Sequence, residues 1–281
     1  MSVGLVLEGG AMRGMYTAGV LDVFLENNII IDGIIGVSAG VLFGVNYLSK
    51  QKGRAIRYNK KYANDSRYMG IKSLITTGNV INKQFAFYDV PFKLDIFDEE
   101  TYKKSKTDFY ATVTNINTGK PEYIKIKEPL KEMEVLRATS AMPFVSQIVK
   151  LDKGEYLDGG LSDSIPVEKC ISLGYKKIIV ILTRPIDYRK KKPKEFITKI
   201  KYKKYPNLVK TINTRYKNYN NSVEKIIDLE NKKEIFVIRP SKSLKIKRIE
   251  RNKEKLQEMY DLGVEDCKRN MKDLKEFLKI K

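Results

Sequence analysis

Residues 29 to 40 read IIIDGIIGVSAG, a β-branched run that gives way to small residues with one hydroxyl near the end. Ile29 to Ile35 reads as a buried strand, and Val41 to Lys50 reads as the helix that follows it. Between them, Gly36-Val37-Ser38-Ala39-Gly40 has the spacing of a serine carried on a sharp strand-to-helix turn. In such a turn the side chain points outward, and flanking glycines let the backbone bend without a Cβ clash. Upstream, Val3 to Leu7 is a short apolar run closed by Glu8, Gly9 and Gly10, and Met15 to Asn28 places Val20, Leu21, Phe24 and Leu25 at helical spacing. Strand, glycine loop, helix, strand, tight turn, helix is the opening of a parallel α/β sheet with right-handed crossovers. Ligand chemistry in such sheets gathers at the carboxyl ends of the strands, where both glycine-bearing loops fall.

Further along, residues 51 to 105 are less regular. They hold a basic stretch at Arg54 to Lys61 and an aromatic cluster, FAFYDVPF, at 85 to 92, which suits a lid over an apolar pocket or helices covering a sheet edge. Phe109 to Asn115 and Glu122 to Lys127 flank Asn117-Thr118-Gly119-Lys120 and predict a hairpin. Val135 to Ala141 is helical in character and stops at Pro143. Tyr156 and Leu157 lead into Asp158-Gly159-Gly160, and Lys177 to Leu182 (KIIVIL) is a core strand. Residues 189 to 232 have helical spacing, 234 to 240 give one more strand, and Ile249, Leu256, Tyr260, Val264, Cys267, Met271, Leu274 and Leu278 stripe one face of a long helix.

The chain has 281 residues, no histidine and two cysteines, Cys170 and Cys267. Two cysteines are too few for a disulfide framework and have no metal-ligand spacing, so no metal site is expected. The N-terminus has no positive leader and no stretch nears the ~20 apolar residues of a membrane span, so a cytoplasmic protein is expected. The net charge of +20 is uneven: residues 1 to 180 hold 24 Lys and Arg against 20 Asp and Glu, and the remaining 101 hold 30 against 14. A basic tail with interleaved tyrosines suits an anionic membrane, nucleic acid, or simply a lysine-rich solvated surface.

Three glycine-rich sites bear on chemistry. Glu8-Gly9-Gly10-Ala11-Met12-Arg13-Gly14 follows a strand and opens a helix, where amides without intrahelical partners suit a phosphate or the oxyanion of an acyl-transfer intermediate. It also resembles a dinucleotide loop, with Asp32 at about the right distance for a ribose; the Lys-Ser/Thr pair of a Walker loop is missing. Ser38 supplies a nucleophile, but histidine cannot be its base, which leaves a carboxylate as the leading candidate. A carboxylate of ordinary pKa, about 4, is a weak base toward a hydroxyl, so the oxyanion donors must carry much of the rate. Asp158, on a tight Gly159-Gly160 turn, is a reasonable choice, although an Asp-Gly turn by itself is commonplace.

Together, EGGAMRG at 8 to 14, GVSAG at 36 to 40 and DGG at 158 to 160 resemble the ordered motifs of patatin-like phospholipases, and ATSAMPF at 138 to 144 resembles the family's small-residue stretch before proline. The resemblance covers most of residues 3 to 185. It implies a Ser-Asp dyad without histidine, Ser38 as nucleophile and Asp158 as general base, with an oxyanion hole from Gly9, Gly10 and Ala11. Arg13, Gly14, Gly36, Gly40, Gly159 and Gly160 are the supporting motif residues. Many members have a third glycine where this chain has Ala11; if φ is positive there, alanine costs about 1 kcal/mol.

The expected fold is a three-layer α/β/α sandwich with a mainly parallel central sheet plus a basic, largely helical C-terminal extension. Residues 3 to 185 are expected to form the acyl hydrolase domain, and 186 to 281 the extension, with a strand at 234 to 240 and an amphipathic helix at 249 to 280. The expected activity is cleavage of fatty-acyl esters of lipids or phospholipids, with no cofactor and no metal. The expected partners are a lipid ester and, through the basic region, an anionic membrane at its inner face, rather than nucleic acid. The rival readings are a nucleotide-binding protein using residues 9 to 14 and Asp32, and a binder of anionic membranes or nucleic acid without hydrolase activity.

Overall fold

The structure is a computed structural model that describes residues 2 to 280. Eight strands, β1 (Val3–Leu7), β2 (Gly33–Val37), β3 (Asp108–Asn115), β4 (Pro121–Lys125), β5 (Val149–Leu151), β6 (Gly154–Asp158), β7 (Lys177–Ile181) and β8 (Ile235–Ile238), form one sheet. Its order is β5-β6-β3-β2-β1-β7-β8, with β4 paired to β3. The β3, β2, β1, β7 and β8 pairings are parallel, whereas β4 and β6 run antiparallel to β3, and β5 antiparallel to β6. β1 and β2 are buried at every position, so they read as continuous apolar runs, as strands covered on both faces do.

One face is covered by α1 (Met15–Glu26), α2 (Ala39–Leu48), α3 (Arg54–Tyr62) and α10 (Lys253–Leu278), in a core that includes Leu5, Leu7, Ile34, Phe109 and Ile179. The other face places Val6, Ile35, Ile178 and Val180 against α7 (Val167–Ser172) and α9 (Pro206–Asn231). The alternation of side chains along β1, Leu5 and Leu7 to one core and Val6 to the other, is the period-two pattern of a strand between two helical layers. Short helices α4 (Ile71–Thr77), α5 (Glu99–Lys104), α6 (Met133–Thr139) and α8 (Glu195–Lys201) complete the set, with a wide-turned π-helix over Gln84–Leu94.

Three sequence expectations shift, one of them the C-terminal helix, which runs from Lys253 to Leu278 rather than over 249 to 280, so that Ile249 lies in the segment before it. The stretch Ile29 to Asp32 is a loop, and β2 begins at Gly33; Ile29 and Ile31 are buried, which explains why the run reads as strand. Asp32 therefore precedes β2, where its carboxylate accepts the Val3 amide at 2.7 Å. That is the amino end of β1, opposite the glycine loop at its carboxyl end, so Asp32 cannot meet a nucleotide held by residues 9 to 14.

The C-terminal segment builds part of this frame. β8 extends the sheet in parallel beside β7, and α10 lies along α1. The helices approach so closely that a Cβ at Gly263 would stand 2.2 Å from the Tyr16 carbonyl oxygen. Tyr16 donates to Asp266 at 3.1 Å and Tyr260 to Asp22 at 2.7 Å across the same seam.

Candidate active site

The carboxyl ends of β1, β2 and β7 and the turn after β6 converge on Ser38. β2 delivers the chain to Ser38 with φ 54° and ψ −121°, and α2 starts at the next residue. A non-glycine residue held there stores about 1–3 kcal/mol of backbone strain, which the buried elements on either side must hold in place. Gly40 lets the first turn of α2 sit on β1, since a Cβ there would lie 2.7 Å from the Leu7 carbonyl oxygen. Gly36 faces Val41 and Gly14 faces Ala39 and Phe43, which seats the elbow against the glycine loop and its helix.

Ser38 Oγ donates to Asp158 Oδ2 at 2.7 Å, and both residues are buried. Asp158 Oδ1 accepts the Gly160 amide at 2.8 Å, and the Asp158 carbonyl accepts Thr114 Oγ1 at 2.8 Å. Gly159 is pressed onto β3, where a Cβ would meet the Thr112 carbonyl oxygen at 2.1 Å. Burial pushes the Asp158 carboxyl above the usual carboxylate range, against the pull of Arg215, the Ser38 hydrogen bond, the Gly160 amide and Arg248. A raised pKa in a recessed site makes this carboxylate a better proton acceptor than an exposed one.

On the other side of Ser38 lies the loop after β1. Gly9 packs against the elbow, its Cβ position 3.3 Å from Ser38 Cβ, and Gly10 against Thr183. Among the described residues, the Gly9, Gly10 and Ala11 amides donate to no protein acceptor, whereas Met12 and Arg13 amides bond to the Arg248 and Gly10 carbonyls. Ala11 has φ 49°, a left-handed conformation that favours glycine. We expect Ala11→Gly to raise stability by up to about 1 kcal/mol, read from urea unfolding midpoints. A loss of stability would show that the alanine methyl packs usefully here. Arg13 points into the same region; burial, with Arg184 adding to it, brings its pKa down to about 10.

Several residues hold the site through contacts that the motifs do not show. Thr139, at the end of α6, accepts the Ser38 amide at 2.9 Å and donates to the Thr112 carbonyl at 2.6 Å, so it ties the elbow to β3. The matched stretch ATSAMPF contains it, but its role follows only from the fold. Glu8 is buried and accepts the Thr183 amide at 2.6 Å and the Tyr219 hydroxyl at 3.0 Å, which clamps the glycine loop between β7 and α9. Arg215, also on α9, brings Nη2 to 3.1 Å from the Cβ position of Gly160. None of these three contacts has a local sequence signature.

Below the elbow, an apolar cavity of about 80 Å³ is lined by Leu42 and Val45 of α2, Phe87 and Val90 of the π-helix, and Met133 and Leu136 of α6, among others. Leu42 lies one turn beyond Ser38, its amide bonded to the Ser38 carbonyl, and Leu136 lies one turn before Thr139. The segment 51 to 105 thus covers an apolar space that starts one turn of α2 beyond Ser38. Among the described residues, no group of His, Cys, Asp or Glu could hold a metal ion.

Comparison with known proteins bears on the family of the chain. The profile of patatin-like phospholipases matches residues 5–171, and that of a domain of unknown function, DUF6363, matches residues 205–279. An uncharacterized Escherichia coli protein, YjjU, is 32% identical over 195 residues, which is 65% of this chain and 52% of that protein. Lysophospholipase nte1 of Aspergillus oryzae is 28% identical over 195 residues, 66% of this chain and 12% of its own length. The chain therefore spans about half of the first relative and a small part of the second. Among solved structures, VipD from Legionella pneumophila aligns over 95% of this chain and 67% of its own, with 13% identity and a TM-score of 0.41. With a matching profile over more than half its length, and that family's three motifs meeting around one serine, the chain belongs to the patatin-like phospholipases.

Proposed function

We propose that the protein is a serine acyl hydrolase that cleaves fatty-acyl esters of lipids or phospholipids through a Ser38–Asp158 dyad. The observation that carries this reading is the 2.7 Å hydrogen bond from Ser38 Oγ to Asp158 Oδ2 inside a buried site, beside a glycine loop that packs on Ser38 and whose Gly9, Gly10 and Ala11 amides have no protein acceptor. Ser38 attacks the acyl carbonyl as Asp158 accepts its proton, and the Gly9, Gly10 and Ala11 amides hold the oxyanion. Asp158 then returns the proton to the leaving alcohol, and it activates the water that releases the fatty acid. The cavity under Leu42 and Leu136 takes the start of the acyl chain. Residues 3 to 185 act as the hydrolase unit in this reading, and 186 to 281 as an extension that completes its sheet and its site. Neither a cofactor nor a metal takes part in the proposed steps.

Access to lipid is the second part of the proposal. Among the described residues, no helix is long and apolar enough to cross a membrane. α8 exposes Phe196 (73%), Ile197 and Ile200 beside Lys199 and Lys201, and α4 exposes Ile71 and Ile75 (79%). Both flank the segment after α6, where the Phe144 amide bonds to Tyr202 at 2.9 Å and the Val145 carbonyl accepts the Val80 amide. Apolar side chains among lysines on a short helix fit peripheral contact with an anionic bilayer surface, at the inner face of the membrane for a cytoplasmic protein. The test is fatty-acid release by the full chain from lysophospholipid and from diacyl phospholipid in neutral and anionic vesicles. Release from both, faster on anionic vesicles, is expected. No release from any acyl ester would overturn the hydrolase reading, and equal rates on both surfaces would remove the membrane contact.

A further inference from the structure

Beside the dyad lies a group of cations whose counter-charges are missing. Arg13 belongs to the glycine loop, Arg184 follows β7, Lys190 lies in the loop after it, Arg215 is on α9 and Arg248 is on the strap before α10. Lys190 Nζ stands 3.1 Å from the centroid of the Tyr219 ring, and the Arg184 guanidinium 4.2 Å from that of Tyr188. The two rings meet edge-on at 5.9 Å, and Tyr219 reaches Glu8. Arg215 closes the group at Gly160, and Arg248 is joined to the loop through its carbonyl and the Met12 amide at 3.3 Å. The cluster thus runs from the base of the oxyanion loop to the Asp158 turn.

Among the described residues, none of the five side chains forms an ion pair or a hydrogen bond with a protein acceptor. The Nε atoms of Arg13 and Arg215 are fully buried and unpartnered. The two carboxylates nearby are engaged: Glu8 by Thr183 and Tyr219, Asp158 by Ser38 and Gly160. Four guanidinium groups and the Lys190 amine stand against two occupied carboxylates, a net positive charge around half-buried side chains and the exposed Arg248 that an entering anion would neutralise. Lys190 shows the consequence: burial, with Arg215 beside it, pulls its ammonium down to about 6.

We propose that Arg13, Arg184, Lys190, Arg215 and Arg248 form an anion subsite that takes a phosphate group, either in the head group of a lipid substrate or as free phosphate. Phosphate fits better than a carboxylate because its oxygens can accept from several guanidinium forks and an ammonium at once. Three of the five residues come from the segment beyond residue 185, so the extension supplies the selectivity and the first half supplies the nucleophile. As a head-group site the proposal rests on the hydrolase reading; as an anion site it stands apart from it.

The experiment uses full-length Ser38→Ala protein titrated calorimetrically with inorganic phosphate and with sn-glycerol 3-phosphate, alone and combined with Arg184→Gln/Lys190→Gln. Saturable binding weakened about tenfold or more by the double substitution is expected. In the Ser38 protein, kcat/KM for lysophosphatidylglycerol relative to a monoacylglycerol of the same chain length should fall by a similar factor on the double substitution. Binding with that loss of selectivity assigns the lipid head group, and binding without it assigns free phosphate. If neither anion binds and the selectivity ratio is unchanged, the proposal is overturned. If phosphate binds while no ester is cleaved, the hydrolase reading fails and the subsite stands. Arg184 and Lys190 are half-buried and have no ion-pair partner, so removing them should change the melting temperature little; should the double variant nevertheless fail to fold, Arg248→Gln, at an exposed position, provides the same comparison.

Discussion

Replacing Ser38 by alanine is expected to lower ester hydrolysis by about 10³-fold or more and to abolish labelling by a fluorophosphonate, with the protein still folded. Ser38 is the hydroxyl hydrogen-bonded to the buried carboxylate, and the methyl of alanine offers no nucleophile in its place. The stability change is expected to be small, because alanine keeps the strained φ of 54° and only one side-chain hydrogen bond is lost. Ser38→Gly separates the two effects. It should be as inactive as the alanine variant yet more stable than it by about 1 kcal/mol, since glycine tolerates that conformation. Urea unfolding of the two variants measures the difference. Equal stability would mean that the elbow is not strained, and undiminished turnover would remove Ser38 from the mechanism.

For Asp158→Asn the expected loss of activity is similar, about 10²–10⁴-fold, because the amide cannot take the serine proton. Burial raises the folded-state pKa of Asp158 above its unfolded value. Above the folded pKa the protein bears the cost of an ionised buried carboxylate, and that cost disappears as pH falls below the unfolded value near 4. A permanently neutral asparagine escapes it at all pH values, so Asp158→Asn should melt higher than the wild type at pH 7 and lose this advantage in acid. The same shift sets the wild-type pH profile: kcat/KM should fall on the acid side with a midpoint above the ordinary carboxylate value of about 4. Arg215→Gln removes the largest opposing influence and should move that midpoint to higher pH. A melting temperature lowered at pH 7 by Asp158→Asn would contradict this account of the carboxylate.

The sheet that carries this site is largely readable from local pattern, since β1, α1, α2, β7 and the β3–β4 hairpin follow from apolar runs and turn residues. The start of β2 is not, because isoleucines at 29 and 31 are buried in a loop as fully as they would be in a strand. Periodicity also marks α10 as amphipathic, but not its partner; the fit of Gly263 onto Tyr16 of α1 is a contact between residues far apart in sequence. Likewise, 234 to 240 reads as a strand, but only the folded chain puts it beside β7.

Glycine spacing singles out Ser38, Asp158 and the loop at 9 to 11, which the fold brings together, because tight turns and close backbone approaches demand small residues at fixed intervals. Thr139, Glu8 and Arg215 act through long-range hydrogen bonds or charges, whose partners leave no local trace. The basic tail shows the same limit. Composition reports its charge, yet only the fold separates Lys190, Arg215 and Arg248, gathered beside Asp158, from the lysines of α8 at the surface.

The most direct test of the Ser38–Asp158 dyad is peptide mapping of the purified protein after reaction with a fluorophosphonate. A single adduct on the peptide containing Ser38, slowed strongly in Asp158→Asn and lost in Ser38→Ala, is the predicted result. An adduct on another residue, or an Asp158→Asn protein that labels as fast as the wild type, would contradict it.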